Sequence, residues 1–123
     1  MKVGFDFHNV LDAYPNQITD LMLRHKYYGD KVYVISAVGR NRKGTVAEQV
    51  HALTVYVDGI YEVAFTNPRQ SPQLKVAQAL ELKLDIFYDD RQDVVDAMVE
   101  AGILCFKVPR LVKMSDIQSD KDM

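Results

Sequence analysis

One cysteine among 123 residues rules out a disulfide framework within the chain. That thiol, Cys105, sits in the run Ile103-Leu104-Cys105-Phe106 and reads as a small buried hydrophobe. A reducing, cytoplasmic setting is expected. Long apolar runs are missing too, and none approaches the roughly 18 residues of a membrane span. Strand-like sequence begins at Lys2 with no basic leader or apolar core, so no signal peptide is expected. Neither sign of charge dominates: 15 Lys and Arg face 17 Asp and Glu, a net charge of −2. The overall field therefore attracts neither nucleic acid nor an anionic membrane, and any affinity for phosphate must come from local placement. No internal repeat and no low-complexity linker interrupts the sequence.

What remains is one domain's worth of chain, 48% hydrophobic. A domain of this size buries roughly two-thirds of its unfolded surface, enough for a core without cross-links. The domain is expected over residues 1–112, with a polar, frayed tail over 113–123 (KMSDIQSDKDM from Lys113).

Strand and helix patterns alternate. Strands are expected at residues 2–7, 31–36, 61–66, 84–88 and 103–108, from their Val, Ile, Tyr and Phe content. Ile18, Leu21, Met22 and His25 share one helical face, in a helix starting near Pro15-Asn16 and stopping at Gly29. Val46, Val50, Leu53 and Val57 recur at helical spacing, and Thr45 with Glu48 forms a capping-box signature. Ser71-Pro72 reads as an N-cap with proline at the first helical position. Val94, Val95, Met98 and Ala101 form a last amphipathic helix closed by Gly102. Val55 to Tyr61 fits either a hairpin around Asp58-Gly59 or a helix followed by a strand, and the capped helical pattern favours the second.

Such alternation specifies a doubly wound, Rossmann-like three-layer α/β sandwich with a parallel sheet. Five strands in order 5-4-1-2-3 place strands 1 and 4 side by side where the order reverses, and ligands bind outside the carboxyl ends there. Strand 1 runs Val3-Gly4-Phe5 into Asp6; strand 4 runs Ile86-Phe87-Tyr88 into Asp89-Asp90. Three carboxylates facing one cleft repel one another unless a divalent cation neutralises them. Oxygen donors of this kind suit Mg²⁺.

In this order the residues resemble the haloacid dehalogenase-like superfamily of phosphohydrolases over positions 2 to about 110. Asp6-Phe7-His8-Asn9-Val10 matches its Asp-x-Asp first motif, Ser36 its strand ending in Ser or Thr, Lys75 its lysine, and Asp89-Asp90 its paired acids. The resemblance implies that Asp6 is a nucleophile forming an aspartyl-phosphate. It implies a Mg²⁺ site built from Asp6, the His8 backbone carbonyl, Asp89 and Asp90. Ser36 would bond a phosphate oxygen and Lys75 would balance its charge, with Arg69 and Lys43 as reserves for Lys75. Plainer readings stand beside these. Asp6 and Ser36 also suit turns, Lys75 a solvated helix face, and Asp90 the N-cap of the last helix.

His8 departs from the pattern. The family places there an Asp that protonates the leaving alkoxide and then activates water, help worth typically 10²–10⁴-fold. Imidazole can perform both transfers; a silent module binding phosphorylated ligands or a protein partner is the competing expectation. A phosphoacceptor receiver domain shares the sheet type but places its paired acids after the first strand, whereas here the pair comes late.

There is no room for a cap domain after strand 1 or around Asp58-Gly59. A capless site is open to large substrates, and the resemblance to capless members of the family implies a macromolecular phosphate such as a nucleic-acid end or phosphoprotein, with a nucleotide the smaller alternative. Asn9, Arg40, Arg42, Lys43 and Arg69 are the expected substrate-binding residues, and Arg91, Lys107 and Arg110 lie near the same edge. Tyr14, Tyr27 and Tyr28 are candidates for base stacking.

Overall fold

The computed structural model describes residues 1–53 and 55–111, so the tail expected from Lys113 lies outside the described residues. Five strands form one all-parallel sheet: β1 (Lys2–Phe5), β2 (Lys31–Gly39), β3 (Gly59–Phe65), β4 (Ile86–Asp89) and β5 (Leu104–Lys107). Their order, β3-β2-β1-β4-β5, is the expected 5-4-1-2-3 read from the other edge. Four helices cross between them: α1 (Pro15–Tyr27), α2 (Thr45–Ala52), α3 (Ser71–Leu82) and α4 (Gln92–Glu100). No cap domain interrupts the β1–α1 or α2–β3 connection.

Alternation along each strand divides the core into two layers. Val3, Phe5, Val32, Val34 and Val38 pack with Ile18 and Met22 of α1 and Val46 and Val50 of α2. Tyr33, Ile35 and Phe87 pack on the other face with Ala79 of α3 and Val94 and Met98 of α4. Gly4 marks a close approach on this second face. A Cβ there would stand 2.6 Å from Leu84 Cδ1 and 2.7 Å from Phe87 Cδ1. Cys105 is buried in the same layer, and burial pushes its thiol up to about 12, which leaves it inert.

Several boundaries differ from the sequence pattern. Helix α2 ends at Ala52 rather than Val57, and Val55 and Val57 pack partly buried against the core from a segment outside any helix or strand. The segment then enters β3 as a parallel strand, so helix-then-strand holds over the hairpin. Thr45 is not an N-cap: Gly44 stands there at φ 101°, and Thr45 Oγ1 donates to the Arg42 carbonyl. The amides of Gly44 and Val46 donate instead to the Glu62 carboxylate of β3, at 2.7 and 3.0 Å. Ser71 is the first helical residue of α3, preceded by a tight turn (Pro68–Gln70) that carries an Asn67/Gln70 capping box. Arg91, not Asp90, occupies the N-cap position of α4. None of the described helices is long and apolar enough to cross a membrane.

Candidate active site

The sheet order reverses at β1, which has β2 on one side and β4 on the other. Pairing of Phe5 with Tyr88 puts the next residues, Asp6 and Asp89, beside each other at the carboxyl edge. The Asp6 amide donates to the Tyr88 carbonyl at 3.0 Å, which holds the chain in register as it leaves the strand. Asp6 then accepts the Phe7 amide at 2.8 Å, so its plainer role in the following turn is present as well. The turn of residues 7–11 passes through Asn9 at φ 62°, ψ 9°. Asn tolerates this left-handed conformation better than most side chains. It is pinned by the Asn9 amide donating to Asp12 Oδ1 at 2.6 Å.

Lys75 reaches this edge from α3. Its Nζ lies 2.7 Å from Asp89 Oδ2 and 3.2 Å from Asp6 Oδ2. Lys75 is 2% exposed, Asp6 3%, Asp89 0% and Asp90 3%, so the group is sequestered from water. A solvated helix face for Lys75 is thereby excluded. Oxygens of Asp6, Asp89 and Asp90 lie within 4.8 Å of one another. Asp89 Oδ1 accepts the Arg91 amide at 3.0 Å, and Asp90 Oδ2 accepts Arg110 Nε at 2.6 Å.

Two cations, the buried Lys75 ammonium and the exposed Arg110 guanidinium on Asp90, do not balance three carboxylates. Burial raises Asp6 to about 7 even with Lys75 pulling the other way, and Asp89 and Asp90 add to the rise. Burial raises Asp89 as well, against the opposing pull of Lys75. For Lys75, burial alone would lower the pKa, but Asp6 and Asp89 outweigh it and hold the ammonium charged. The unbalanced negative charge and all-oxygen donor set fit a hard divalent cation such as Mg²⁺.

A cavity of about 210 Å³ opens on this group, lined by Asp6, His8, Asn9, Ala37, Phe65, Pro68, Ser71, Lys75, Asp90 and Arg91. His8 and Asn9 are exposed at its mouth. The His8 ring is half exposed, with Nδ1 3.7 Å from Asp12 Oδ2. A second cavity of about 360 Å³ shares His8, Ala37 and Phe65 with the first and adds Arg42, Thr45 and Gln49. Arg40, Lys43 and Arg69 are exposed on loops at the same edge, and none of them or Arg42 forms an ion pair among the described residues.

Ser36 is not brought to this cavity. Strand β2 continues to Gly39, so Ser36 is not a strand end, and alternation puts it on the α1/α2 face with Val34 and Val38. Ala37, on the opposite face, lines the cavity instead. Tyr14 donates its hydroxyl to the Pro109 carbonyl. Tyr27 and Tyr28 are exposed at the C-terminal end of α1, at the opposite edge of the sheet, away from any stacking role here. Two features escaped the sequence pattern. The Arg110–Asp90 pair joins positions twenty residues apart. Ser71 lies one helical turn before Lys75 on the same face of α3, a spacing that the sequence does display.

No family model and no curated protein matches the sequence. Solved structures do match. One chain of the Pnkp1/Rnl/Hen1 complex superimposes with a TM-score of 0.73 at 18% identity, over 91% of this chain and 47% of that one. A chain of the Pnkp1/Rnl/Hen1 RNA repair complex gives 0.70 at 18% identity, over 89% of this chain and 42% of that one. The present chain thus spans less than half the length of either. The NMR structure of the core domain of a candidate phosphoglycolate phosphatase from Streptococcus pneumoniae TIGR4 gives 0.57 at 15% identity, over 100% of this chain and 96% of that one. At these identities the likeness is one of fold. This chain shares its α/β fold with all three.

Proposed function

We propose that the chain is a Mg²⁺-dependent phosphomonoester hydrolase acting through an aspartyl-phosphate on Asp6. The observation that carries this reading is the buried Asp6–Lys75–Asp89 group, with Asp90 beside it, at the reversal point of the sheet. Asp6 attacks phosphorus, the bond to the leaving alkoxide breaks, and the phosphoryl group passes to the carboxylate. His8, at the cavity mouth, gives the alkoxide a proton. It then accepts one from the water that attacks the phosphoenzyme, releasing inorganic phosphate and free Asp6. Asp6, Asp89, Asp90 and the His8 carbonyl would hold the cation, which offsets the charge of the carboxylates and of the transferring phosphoryl group. Lys75 fixes Asp6 and Asp89 in place and supplies positive charge beside the reacting oxygen.

The substrate we favour is the phosphorylated end of a nucleic acid, ahead of a nucleotide or phosphoprotein. The open second cavity leaves room for a large leaving group beside the acidic one. Arg40, Arg42, Lys43 and Arg69 supply cations for neighbouring phosphates, and Asn9 adds a polar contact at the mouth. Two of the structures similar to this chain come from RNA repair assemblies named for Pnkp1, Rnl and Hen1, and a partner protein belongs to the same proposal.

A second reading rests on His8. An imidazole where the family has its acid/base, half exposed and directed by Nδ1 toward Asp12, also fits a module that binds phosphate without turnover. The test is hydrolysis of an aryl phosphate and of 3′- and 5′-phosphorylated oligonucleotides, with Mg²⁺ or with chelator. Turnover that needs Mg²⁺ and vanishes in Asp6→Asn supports the enzyme; activity surviving in Asp6→Asn removes the nucleophile from the account. Inactive wild type with a His8→Asp variant that gains activity favours the binding module.

A further inference from the structure

Among the described residues, two hydroxyls are buried without any hydrogen-bond partner, those of Ser36 and Ser71. A hydroxyl taken out of water is normally satisfied, so an orphan calls for an explanation in ligand or structure. The two differ in what they border. Ser36 is enclosed on the α1/α2 face of the sheet and does not line the cavity. Ser71, 1% exposed, lines the cavity that also holds Asp6, Lys75 and Asp90. It is the first residue of the twelve-residue helix α3, one turn before Lys75. That turn raises Ser71 about 6 Å above Lys75 toward the cavity mouth. Helix α3 runs opposite to the strands, so its positive N-terminal end points to the same edge.

We propose that Ser71, rather than Ser36, is the hydroxyl that binds the phosphate of the substrate in this cavity. The inference rests on the phosphohydrolase reading and adds a substrate-contacting residue to it. Lys75 forms the floor, bonded to Asp6 and Asp89, while Ser71 forms the wall above it. A tetrahedral phosphate seated over Asp6 receives a hydrogen bond from Ser71 Oγ, the donor that no protein atom engages. The same reasoning explains why a buried hydroxyl is kept unsatisfied at the start of α3: its partner arrives with the ligand.

The test is binding of inorganic phosphate by calorimetry, with Mg²⁺, to wild type, Ser71→Ala and Ser36→Ala, together with their thermal midpoints without phosphate. A hydrogen bond to a charged ligand predicts about a tenfold or greater loss of affinity in Ser71→Ala. The phosphate-free midpoint of that variant should be unchanged or higher, because the hydroxyl it loses has no partner. Ser36→Ala should bind within about twofold of wild type, a margin small beside that hydrogen bond. The proposal is overturned if Ser71→Ala binds as wild type does, or if the loss falls on Ser36→Ala. Wild type that binds no phosphate and hydrolyses no monoester overturns the phosphohydrolase reading itself, and this inference with it.

Discussion

Replacing Lys75 by Met keeps most of the side chain's bulk in α3 but removes the single ammonium between Asp6 and Asp89. Both carboxylates are buried, so the loss leaves charge in the interior with no compensating partner. Breaking a buried pair in this way costs about 3–5 kcal/mol. With a urea slope of about 2 kcal/mol per molar, the unfolding midpoint should fall by about 1.5–2.5 M. The measurement is urea unfolding followed by circular dichroism in chelator, at pH 5 and pH 8. Asp6 already titrates near 7 in the folded protein, above its value in the unfolded chain. A carboxyl raised in this way withdraws stability as pH rises from the unfolded value through the folded one. Without Lys75 the folded value moves higher still, so the deficit should be larger at pH 8 than at pH 5. Mg²⁺ should narrow it by supplying the missing charge, and adding Asp6→Asn to Lys75→Met should recover part of it. A loss under about 1 kcal/mol, or equal deficits at both pH values, would refute the argument that buried charge dominates this site.

Asp58 accepts Lys26 Nζ at 2.9 Å and the Val32 amide at 2.7 Å, and these contacts outweigh burial to hold its carboxyl below the usual range. Asp58→Asn should therefore cost about 1–2 kcal/mol at pH 7, fading as pH falls through the depressed folded value; an undiminished cost at pH 2 would contradict this. Gly4→Ala should destabilise by about 1–3 kcal/mol in thermal unfolding, since its methyl meets Leu84 and Phe87 in a filled layer. If single-stranded nucleic acid binds, affinity measured against salt should fall with a slope of about −0.7 per neutralised phosphate. Arg40→Ala with Arg42→Ala should flatten that slope by about 1.4, and a salt-independent affinity would count against a nucleic-acid ligand.

Strand-and-acid patterns made the centre of the fold legible. Apolar runs ending in Asp6 and Asp89-Asp90 are local signals, and the crossover rule that sets strand order puts their ends together. Lys75 was legible through the family resemblance, although its burial was not. What failed was whatever depended on exact strand length or on distant partners. Val34-Ile35-Ser36 reads as a strand end, but Ala37, Val38 and Gly39 also pair with β3, and Ser36 shares the face of Val34 and Val38 and does not line the cavity. Val50, Leu53 and Val57 have helical spacing, yet Val55 and Val57 pack against the core from outside the helix. Thr45 and Glu48 had the letters of a capping box, but Glu62, far along the chain, competes for the amides at the start of α2 and holds them. No local pattern encodes that contact.

The central claim is that Asp6 becomes covalently phosphorylated. Acid-quenching the protein during turnover of an oligonucleotide with a ³²P-labelled terminal phosphate, in the presence of Mg²⁺, tests it directly. The account predicts protein-bound label that survives acid, is released by hydroxylamine as an acyl phosphate, and is missing from Asp6→Asn and from samples quenched in chelator. Steady hydrolysis with no label on wild type at any quench time, or equal label on Asp6→Asn, would contradict it.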